Sequence, residues 1–324
     1  MAPHALSETE QEIVKLLQED GRLTFVAISR ALGIPEPTAR RTVYRLLDEG
    51  LIDVTAVANP RFVGLEAMAV VGIAVDWARV EGRLQAQMLE IRGVDYVATT
   101  SGRFQIMAEV MARDPMDLGS RVDLIRELDG VRSTETFVYL DLLHQDFRWN
   151  ATSGPGSVES QNRPEQISGF ERQLVLALYE DGRRSFRQIA RDLDASLQRV
   201  TSAYGRLTTK GILRVMAVVN PSSLGIETMA WLGVRVRAGA KVRTVAEALV
   251  AVPEVDYVVT CTGRFDILVE ASCTDSRGLA EVIETRVGPA DGVGIVEAFT
   301  YLRLDYPTER VWSAGRVSAL NLDA

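Results

Sequence analysis

The chain contains one segment twice: VDYVATTSGRF at residues 94–104 and VDYVVTCTGRF at residues 255–265. Branched and aromatic residues dominate the first part of each copy, a composition that favours strands. Gly102 and Gly263 then interrupt the pattern, and a second apolar run follows each of them. Each copy therefore predicts two strands joined by a turn around glycine.

The two copies are 161 residues apart, and this offset relates most of one half of the chain to the other half. It joins Asp20-Gly21-Arg22 to Asp181-Gly182-Arg183 in the N-terminal part of each half. Near the end the offset becomes 162, where Tyr139-Leu140 meets Tyr301-Leu302. One register over so much of the chain indicates a tandem duplication.

Each half begins with three short segments of helical apolar spacing. In the first half they run from Glu8 to Gln18, from Thr24 to Leu32 and from about Glu36 to Asp48. Gly33 supplies a tight turn before the third segment. This pattern predicts a helix-turn-helix domain, in which the last helix is the one that enters a DNA groove.

The apolar period then changes to that of an alternating sheet domain. The predicted strands and helices, in chain order, are Ala67 to Val75, helix Val80 to Ile91, Val94 to Thr100, Phe104 to Met111, helix Met116 to Leu128 and Val131 to Leu140. This order is βαββαβ, the ferredoxin-like arrangement, and Glu227 to Arg303 repeats it. A sheet with helices on one side leaves an apolar face that the other half, or a second chain, must cover.

The predicted fold class is therefore α+β: a winged helix-turn-helix domain followed by a ferredoxin-like domain, present twice. Residues 150–166 are rich in Ser, Gly, Asn and Pro and predict a flexible linker between the halves. The predicted boundaries are helix-turn-helix domains at 1–60 and 167–221, ferredoxin-like effector and assembly domains at 61–149 and 222–305, and a tail at 306–324.

Charge is distributed unevenly along the 324 residues. The whole chain carries a net charge of −8. Residues 1–60 carry −3, whereas residues 167–221 carry +4. A DNA reader needs a basic stripe only at its contact surface, so this balance is compatible with DNA binding.

Other compositional features limit the remaining functional classes. The longest apolar run, Ala67 to Val75, is far shorter than the roughly 18 residues that a membrane span needs. The first ten residues lack the pattern of a signal peptide. Cys261 and Cys273 give neither a disulfide framework nor zinc spacing. We expect a cytoplasmic protein with no membrane partner, no metal and no other cofactor.

Taken together, these motifs resemble those of the Lrp/AsnC, or feast/famine, transcription regulators. The resemblance is carried by Asp-Gly-Arg after the first helix, Arg-Leu-x-x-x-Gly at the end of the third, Asn-Pro before the sheet domain and the Gly-x-Phe turn between the middle strands. It implies a sequence-specific regulator that a small molecule, such as an amino acid, modulates. It also implies self-association through the sheet domains, here as a pseudo-dimer within one chain.

The outer face of each third helix supplies the predicted contacts to double-stranded DNA. In the first half these residues are Thr38, Arg40, Arg41, Thr42, Tyr44 and Arg45, and in the second half they are Gln198, Arg199, Ser202 and Arg206. Arginine bonds base edges or holds phosphate, and the hydroxyl and amide groups add hydrogen bonds. The alternative is that they are solvated side chains on a surface helix.

The glycine turn of the sheet domain is the predicted effector site, because the resemblance implies a ligand there. Its candidate residues are Thr262, Gly263, Arg264 and Asp266 in the second half, with Gly102 and Gln105 in the first. A carboxylate at Asp266 suits an ammonium group, whereas Gln105 supplies no charge. The alternative is a simple hairpin turn with glycine at positive φ.

Two other functions stay open. Some Lrp-like chains, fused ones included, resemble sirohaem decarboxylases that use histidines in the sheet domain. Here the histidines are His4, near the start, and His144, which we place on the surface after the last strand of the first half. We therefore expect no enzymatic activity. The second alternative is a sensor or assembly protein with weakened DNA binding.

Overall fold

The computed structural model describes residues 6–58, 62, 64–80, 83–145, 167–219 and 226–305. The predicted linker at 150–166, the predicted tail at 306–324 and both Asn-Pro pairs lie outside the described residues.

Both halves follow the same order of elements. The helices are α1 (Glu8–Glu19), α2 (Phe25–Leu32), α3 (Glu36–Asp48), α4 (Leu84–Glu90), α5 (Pro115–Arg126), α6 (Gly169–Glu180), α7 (Phe186–Asp192), α8 (Leu197–Thr209), α9 (Val242–Val250) and α10 (Ser276–Val282). The strands are β1 (Ile52–Ala58), β2 (Ala67–Val75), β3 (Val94–Thr100), β4 (Ile106–Ala112), β5 (Val131–Gln145), β6 (Leu213–Val219), β7 (Thr228–Val236), β8 (Val255–Cys261), β9 (Ile267–Cys273) and β10 (Val293–Asp305).

The predicted α+β class is confirmed, and each sheet domain has the ferredoxin-like strand order. The first half runs β3-β4-β2-β5 and the second runs β8-β9-β7-β10, with all pairs antiparallel. β2 is buried on both faces. Ala69 and Val71 pack toward α4 and α5, whereas Met68 and Val70 belong to the core between the two sheets. One apolar run thus serves two cores.

The last strand of each half is longer than the sequence predicts, and it joins the halves. β5 pairs with β2 up to Val138, and from Tyr139 to Gln145 it pairs with β8 of the other half. β10 likewise pairs with β7 and then, from Tyr301, with β3. The eight strands therefore close into one ring. The apolar sheet face that needed a partner is covered within the same chain.

This extension also corrects the placement of His144. The sequence placed it on the surface beyond the last strand, but it lies within β5, opposite Val258, and is buried. The prediction was wrong because the last strand continues into the sheet of the other half.

Four phenylalanine rings meet where the two halves join. Phe104 and Phe137 come from the first half, and their repeat equivalents Phe265 and Phe299 come from the second. Across the halves, the ring centroids of Phe104 and Phe299 and those of Phe137 and Phe265 are each 5.4 Å apart. Gly72 makes room for this cluster, because a Cβ there would lie 2.7 Å from the Phe104 ring. Such ring pairs contribute about 0.5–1.5 kcal/mol each beyond their buried area.

The helix-turn-helix domains are joined by a ribbon of one strand from each half. β1 and β6 pair antiparallel, with Thr55 opposite Met216, its own repeat equivalent. A pseudo-twofold axis therefore passes through the centre of this ribbon. The winged fold class is confirmed. Within the described residues each half contributes one strand to this ribbon, and neither strand was predicted from the sequence.

A polar cluster lies inside the ring. Buried Glu109 accepts hydrogen bonds from the hydroxyls of Tyr139 at 2.7 Å and Tyr257 at 3.3 Å. The equivalent Glu270 accepts one from Tyr301 at 2.5 Å. Burial raises the pKa of Glu109 to about 8, with the charge of Asp95 adding to the effect. Burial likewise raises the pKa of Glu270 to about 7.

We predict that Glu109→Gln weakens the pH dependence of stability. The folded chain keeps a proton on Glu109 that an unfolded chain releases above about pH 4.3, so stability falls as pH rises from there to about 8. Glutamine keeps an oxygen acceptor for the two tyrosines. Urea unfolding should show a gain on the order of 1–3 kcal/mol at pH 8 that disappears near pH 4.5. The exposed Glu281→Gln is the control, and parallel pH profiles for the Glu109 variant and the unmodified chain would contradict the prediction.

Candidate nucleic-acid interface and effector turns

The two recognition helices, α3 and α8, begin differently. α3 starts after Pro35, which offers no side-chain cap, whereas the Ser196 hydroxyl accepts a hydrogen bond from the Arg199 amide at 3.1 Å in α8. α3 buries Ala39, Val43 and Leu46 against the rest of its domain. Both helices therefore pack by one face, and their opposite faces are the candidate surfaces.

The outer face of α3 is exposed and carries charges of both signs. Arg40, Arg41 and Tyr44 are exposed, and Thr38 and Thr42 are half-buried. Arg40 forms an ion pair with Glu36 at 2.9 Å on its own helix. Four of the six residues predicted for the first half line one shallow surface depression together with three carboxylates; they are Arg40, Arg41, Tyr44 and Arg45.

The outer face of α8 presents different side chains. Gln198, Arg199 and Ser202 are exposed. The guanidinium of Arg199 lies 4.1 Å from the centre of the Phe170 ring, a cation–π contact that orients it. The sequence reading missed Arg187 and Arg191, which are exposed on α7 and form no ion pair with another described residue. The sequence signal that could have indicated them is the net charge of +4 over residues 167–221.

Arg45 and Arg206 are less exposed than the other predicted arginines, because each is paired with carboxylates. Arg45 forms ion pairs with Glu10 and Glu49, and Arg206 forms one with Glu171. Each side chain is only about a third exposed, at 35% and 33%. Glu10 and Glu171 sit at equivalent positions in the first turns of α1 and α6, so both arginines fasten the recognition helix to the first helix.

The charge of Glu171 is stabilised at this contact. Burial acts to raise the pKa of Glu171, but hydrogen bonds from Ser168 and Arg206 outweigh it and lower that pKa overall. The Ser168 amide donates to the carboxylate at 2.9 Å, and the Arg206 Nε donates at 2.6 Å. Glu171 therefore serves both the cap of α6 and the anchoring of α8.

Arginines of the repeated Asp-Gly-Arg motif clamp the two helix-turn-helix domains together. Arg22 donates to the carbonyls of Gly182 and Arg184, and Arg183 donates to those of Gly21 at 2.7 Å and Leu23 at 3.1 Å. Arg22 also stacks over Phe186, and Arg183 over Phe25. The contact is reciprocal, as a pseudo-twofold axis requires.

The glycines of the same motif allow this close approach. A Cβ at Gly182 would lie 2.7 Å from the Val54 carbonyl oxygen, and one at Gly21 would lie 2.9 Å from the Met216 backbone. The Gly21 amide donates to the Val215 carbonyl at 2.8 Å, and the Gly182 amide donates to that of Val54 at 2.9 Å. α3 and α8 are thus presented in one fixed mutual arrangement.

The predicted effector turns lie at the junctions between the halves. Gly102 and Gly263 have φ of +97° and +116°, where only glycine is unstrained. Thr262 is exposed, and its amide donates to the Val138 carbonyl of the other half at 3.0 Å. Arg264 forms an ion pair with Glu135, and Arg103 forms the equivalent pair with Glu297. These turns therefore bind the halves together.

Asp266 and Gln105 perform the same local task. One Asp266 oxygen accepts from the Val236 amide at 2.8 Å, and Gln105 Oε1 accepts from the Val75 amide at 2.9 Å. The hairpin function that the sequence left as an alternative is therefore present in both halves. Asp266 differs from Gln105 in adding a negative charge beside the glycine turn.

The chain thus combines paired helix-turn-helix domains with two ferredoxin-like domains that close into one ring. Residues 6–53 match a winged helix-turn-helix DNA-binding family. Residues 68–148 and 229–309 each match the Lrp/AsnC ligand binding domain, and these matches together cover half of the chain. The chain belongs to the Lrp/AsnC family and is a transcriptional regulator of that type.

Curated relatives match about one half of the duplicated chain. An uncharacterized HTH-type transcriptional regulator of Pyrococcus abyssi is 35% identical over 135 residues, which are 41% of this chain and 85% of the relative. The HTH-type transcriptional regulator FL11 of the same organism is 26% identical, over 42% of this chain and 90% of its own length. Each relative thus corresponds to a single unit of the repeat.

A solved structure matches the whole chain. The siroheme decarboxylase NirDL superposes with a TM-score of 0.63 over 97% of this chain and 96% of its own, at 14% identity. The likeness shows that the duplicated fold is shared. Among the described residues, no helix is both long and apolar enough to cross a membrane, and no group of three or more acidic, histidine or cysteine side chains is arranged to hold a metal ion.

We predict that Arg206→Ala destabilises the second helix-turn-helix domain by about 1–2 kcal/mol. The variant leaves the Glu171 carboxylate, only 11% exposed, without its guanidinium partner. Arg187→Ala, at an exposed position of the same domain, is the matched control and should change stability by less than about 0.5 kcal/mol. Thermal unfolding followed by circular dichroism measures both. Equal stability of the two variants would contradict the anchoring role.

Proposed function

We propose that this regulator binds one double-stranded DNA duplex with both recognition helices. One observation carries the proposal: α3 and α8 expose faces with arginines and uncharged polar side chains while the β1–β6 ribbon and the two arginine clamps hold them in a fixed arrangement. Helix-turn-helix regulators usually place two such helices on DNA by dimerisation of identical chains. Here a single chain supplies both.

Each exposed side chain has a proposed role set by its chemistry. Arg40, Arg41 and Arg199 bond guanine edges or phosphates, and Gln198 suits adenine. Thr38, Thr42, Tyr44 and Ser202 add hydrogen bonds to bases or the backbone. Arg45 and Arg206 act by holding the recognition helices in place. Arg187 and Arg191 lie on the helix that crosses the DNA backbone in this motif, and they hold phosphate.

We predict that Arg41→Ala weakens DNA binding and reduces its salt dependence. Loss of one phosphate contact lowers the slope of log affinity against log salt by about 0.9. Arg126→Ala removes an exposed arginine from α5 of the sheet domain and is the control. Fluorescence anisotropy with a duplex from the region upstream of the chain's own gene, at several salt concentrations, measures the slopes. If the Arg41 variant and the control give the same slope, Arg41 lies outside the interface.

A small-molecule effector is the second part of the proposal. The support is the glycine turn that carries Asp266, within a segment that matches the Lrp/AsnC ligand binding domain. The Gly263 backbone is exposed at this turn, and the carboxylate suits an ammonium group such as that of an amino acid. Gln105 lacks the charge, so we assign the effector to the second half.

We predict that Asp266→Asn lowers the affinity for an amino-acid effector at least tenfold. Asparagine keeps an oxygen to accept from the Val236 amide, so the turn is retained while the charge is lost. Isothermal titration with the twenty common amino acids identifies the ligand and measures the loss. Gln105→Ala, which breaks the equivalent bond to Val75, is the control for a purely structural effect. Unchanged affinity in the Asp266 variant, or an equal loss in the control, would reject Asp266 as the ligand contact.

We propose that the chain has no decarboxylase activity. The whole sequence holds two histidines, and the described one, His144, is buried within β5. The shared fold with NirDL is compatible with either function. A change in the absorption spectrum of iron-uroporphyrin III on adding the protein would favour the enzymatic alternative. Loss of DNA binding in every assay would favour the sensor or assembly alternative.

A further inference from the structure

We infer that this protein recognises a non-palindromic duplex, in which two unlike half-sites are bound in a fixed order by α3 and α8. The inference rests on the proposed DNA binding and specifies the kind of duplex. It follows from a contrast between two parts of the molecule. The frame, which consists of the β1–β6 ribbon with the arginine clamps and anchors, is symmetric. The reading faces, which are the outer residues of α3 and α8, are unlike.

The frame obeys the pseudo-twofold axis closely. β1 and β6 pair about Thr55 and Met216, which are equivalent positions of the repeat. The clamps of Arg22 and Arg183 are reciprocal, as are the anchors of Arg45 and Arg206. The axis therefore places the two recognition helices in equivalent positions, as in a dimer that reads an inverted repeat.

The reading faces do not obey that symmetry. Arg40 is replaced by Thr201, Arg41 by Ser202 and Tyr44 by Gly205 at the offset of 161. In the opposite direction, the second helix has Arg199 where the first has Thr38, and Gln198 where the first has Pro37. Two arginines in the middle of α3 are thus replaced by one arginine in the first turn of α8.

The anchoring positions are retained. Arg45 is matched by Arg206 and the anchor Glu10 by Glu171, whereas buried Val43 is replaced by Tyr204. The frame is therefore kept while the side chains that would face bases differ. Because a base edge is read by the donors and acceptors placed against it, the two helices select different sequences.

The second helix of each motif shows the same contrast in charge. Exposed Arg187 on α7 stands where α2 has exposed Val26. Arg191 does not add to this contrast, because its repeat equivalent Arg30 is also exposed on α2. The two units therefore place their exposed arginines at different positions, and the half-sites differ in sequence preference.

The test is selection of duplexes from a randomised DNA library by the full chain. We expect a recovered motif with two unlike halves, separated by a whole number of helical turns because the frame is fixed. Inverting one half-site within that motif should reduce affinity at least tenfold. Recovery of an inverted repeat would overturn the inference while leaving the proposed DNA binding intact. Failure to enrich any duplex would instead count against the proposed function itself.

A transplanted face makes the test independent of the natural operator. The variant Gln198→Pro, Arg199→Thr, Thr201→Arg, Ser202→Arg, Ala203→Thr, Gly205→Tyr gives α8 the outer residues of α3, and a Cβ at Gly205 meets no atom within 4 Å. Selection with this variant should return an inverted repeat of the first half-site, preferred at least tenfold over the original motif. An unchanged motif would overturn the inference.

The reverse transplant covers the possibility that the first variant fails to fold. The variant Pro37→Gln, Thr38→Arg, Arg40→Thr, Arg41→Ser, Thr42→Ala, Tyr44→Gly should return an inverted repeat of the second half-site. Circular dichroism confirms the fold of each variant before selection. An unchanged motif in this folded variant would again overturn the inference.

Discussion

The exchange of the last strands holds this molecule together. Each ferredoxin-like sheet has an apolar face whose exposure to water would be unfavourable. Each last strand runs beyond its own sheet and pairs with the other sheet. The ring that results leaves no sheet edge open, which also removes a route to aggregation. The four phenylalanine rings lie where this exchange brings the two sheets together. Neither half could bury this face alone.

The same axis governs the helix-turn-helix domains. β1 and β6 form a second, smaller sheet about it, and the arginine clamps lock the flanking turns. The relative position of α3 and α8 is therefore determined by backbone hydrogen bonds and stacked guanidinium groups. Such contacts leave little freedom for one recognition helix to move without the other. A ligand at the turns near the ring would act on DNA binding only by shifting this shared frame.

Much of this architecture follows from local signals in the sequence. Apolar period, glycine turns and the offset of 161 suffice to predict the element order and the duplication, because these depend on neighbouring residues. The length of β5 could not be predicted, since the partner of Tyr139 to Gln145 is β8, more than a hundred residues away. β1 could not be predicted for the same reason, because the strand that pairs with it in the described part of the chain is β6.

The candidate site was predicted to a similar extent. Helical periodicity places Arg41 and Arg199 correctly on outer faces, since it depends only on spacing along one helix. It gives no sign that Arg45 and Arg206 are paired, because their partners Glu10 and Glu171 lie on another helix. Periodicity also gives no sign that the Asp266 carboxylate accepts a bond from the end of β7. Ion pairs between elements are the information that a linear pattern lacks.

Because the two units are fused in one chain, the two sides of the pseudo-twofold axis need not carry identical residues. In a homodimer, every substitution appears on both sides of the axis, so a change that suits one side only is lost. In this chain the two sides are separate residues and can diverge. Val70 is matched by Trp231, whose indole donates to Tyr96 at 2.9 Å inside the ring. A second tryptophan at position 70 would have to fit the same closed interior. The interior thus contains different residues at equivalent positions, valine at 70 and tryptophan at 231, which two identical chains could not provide.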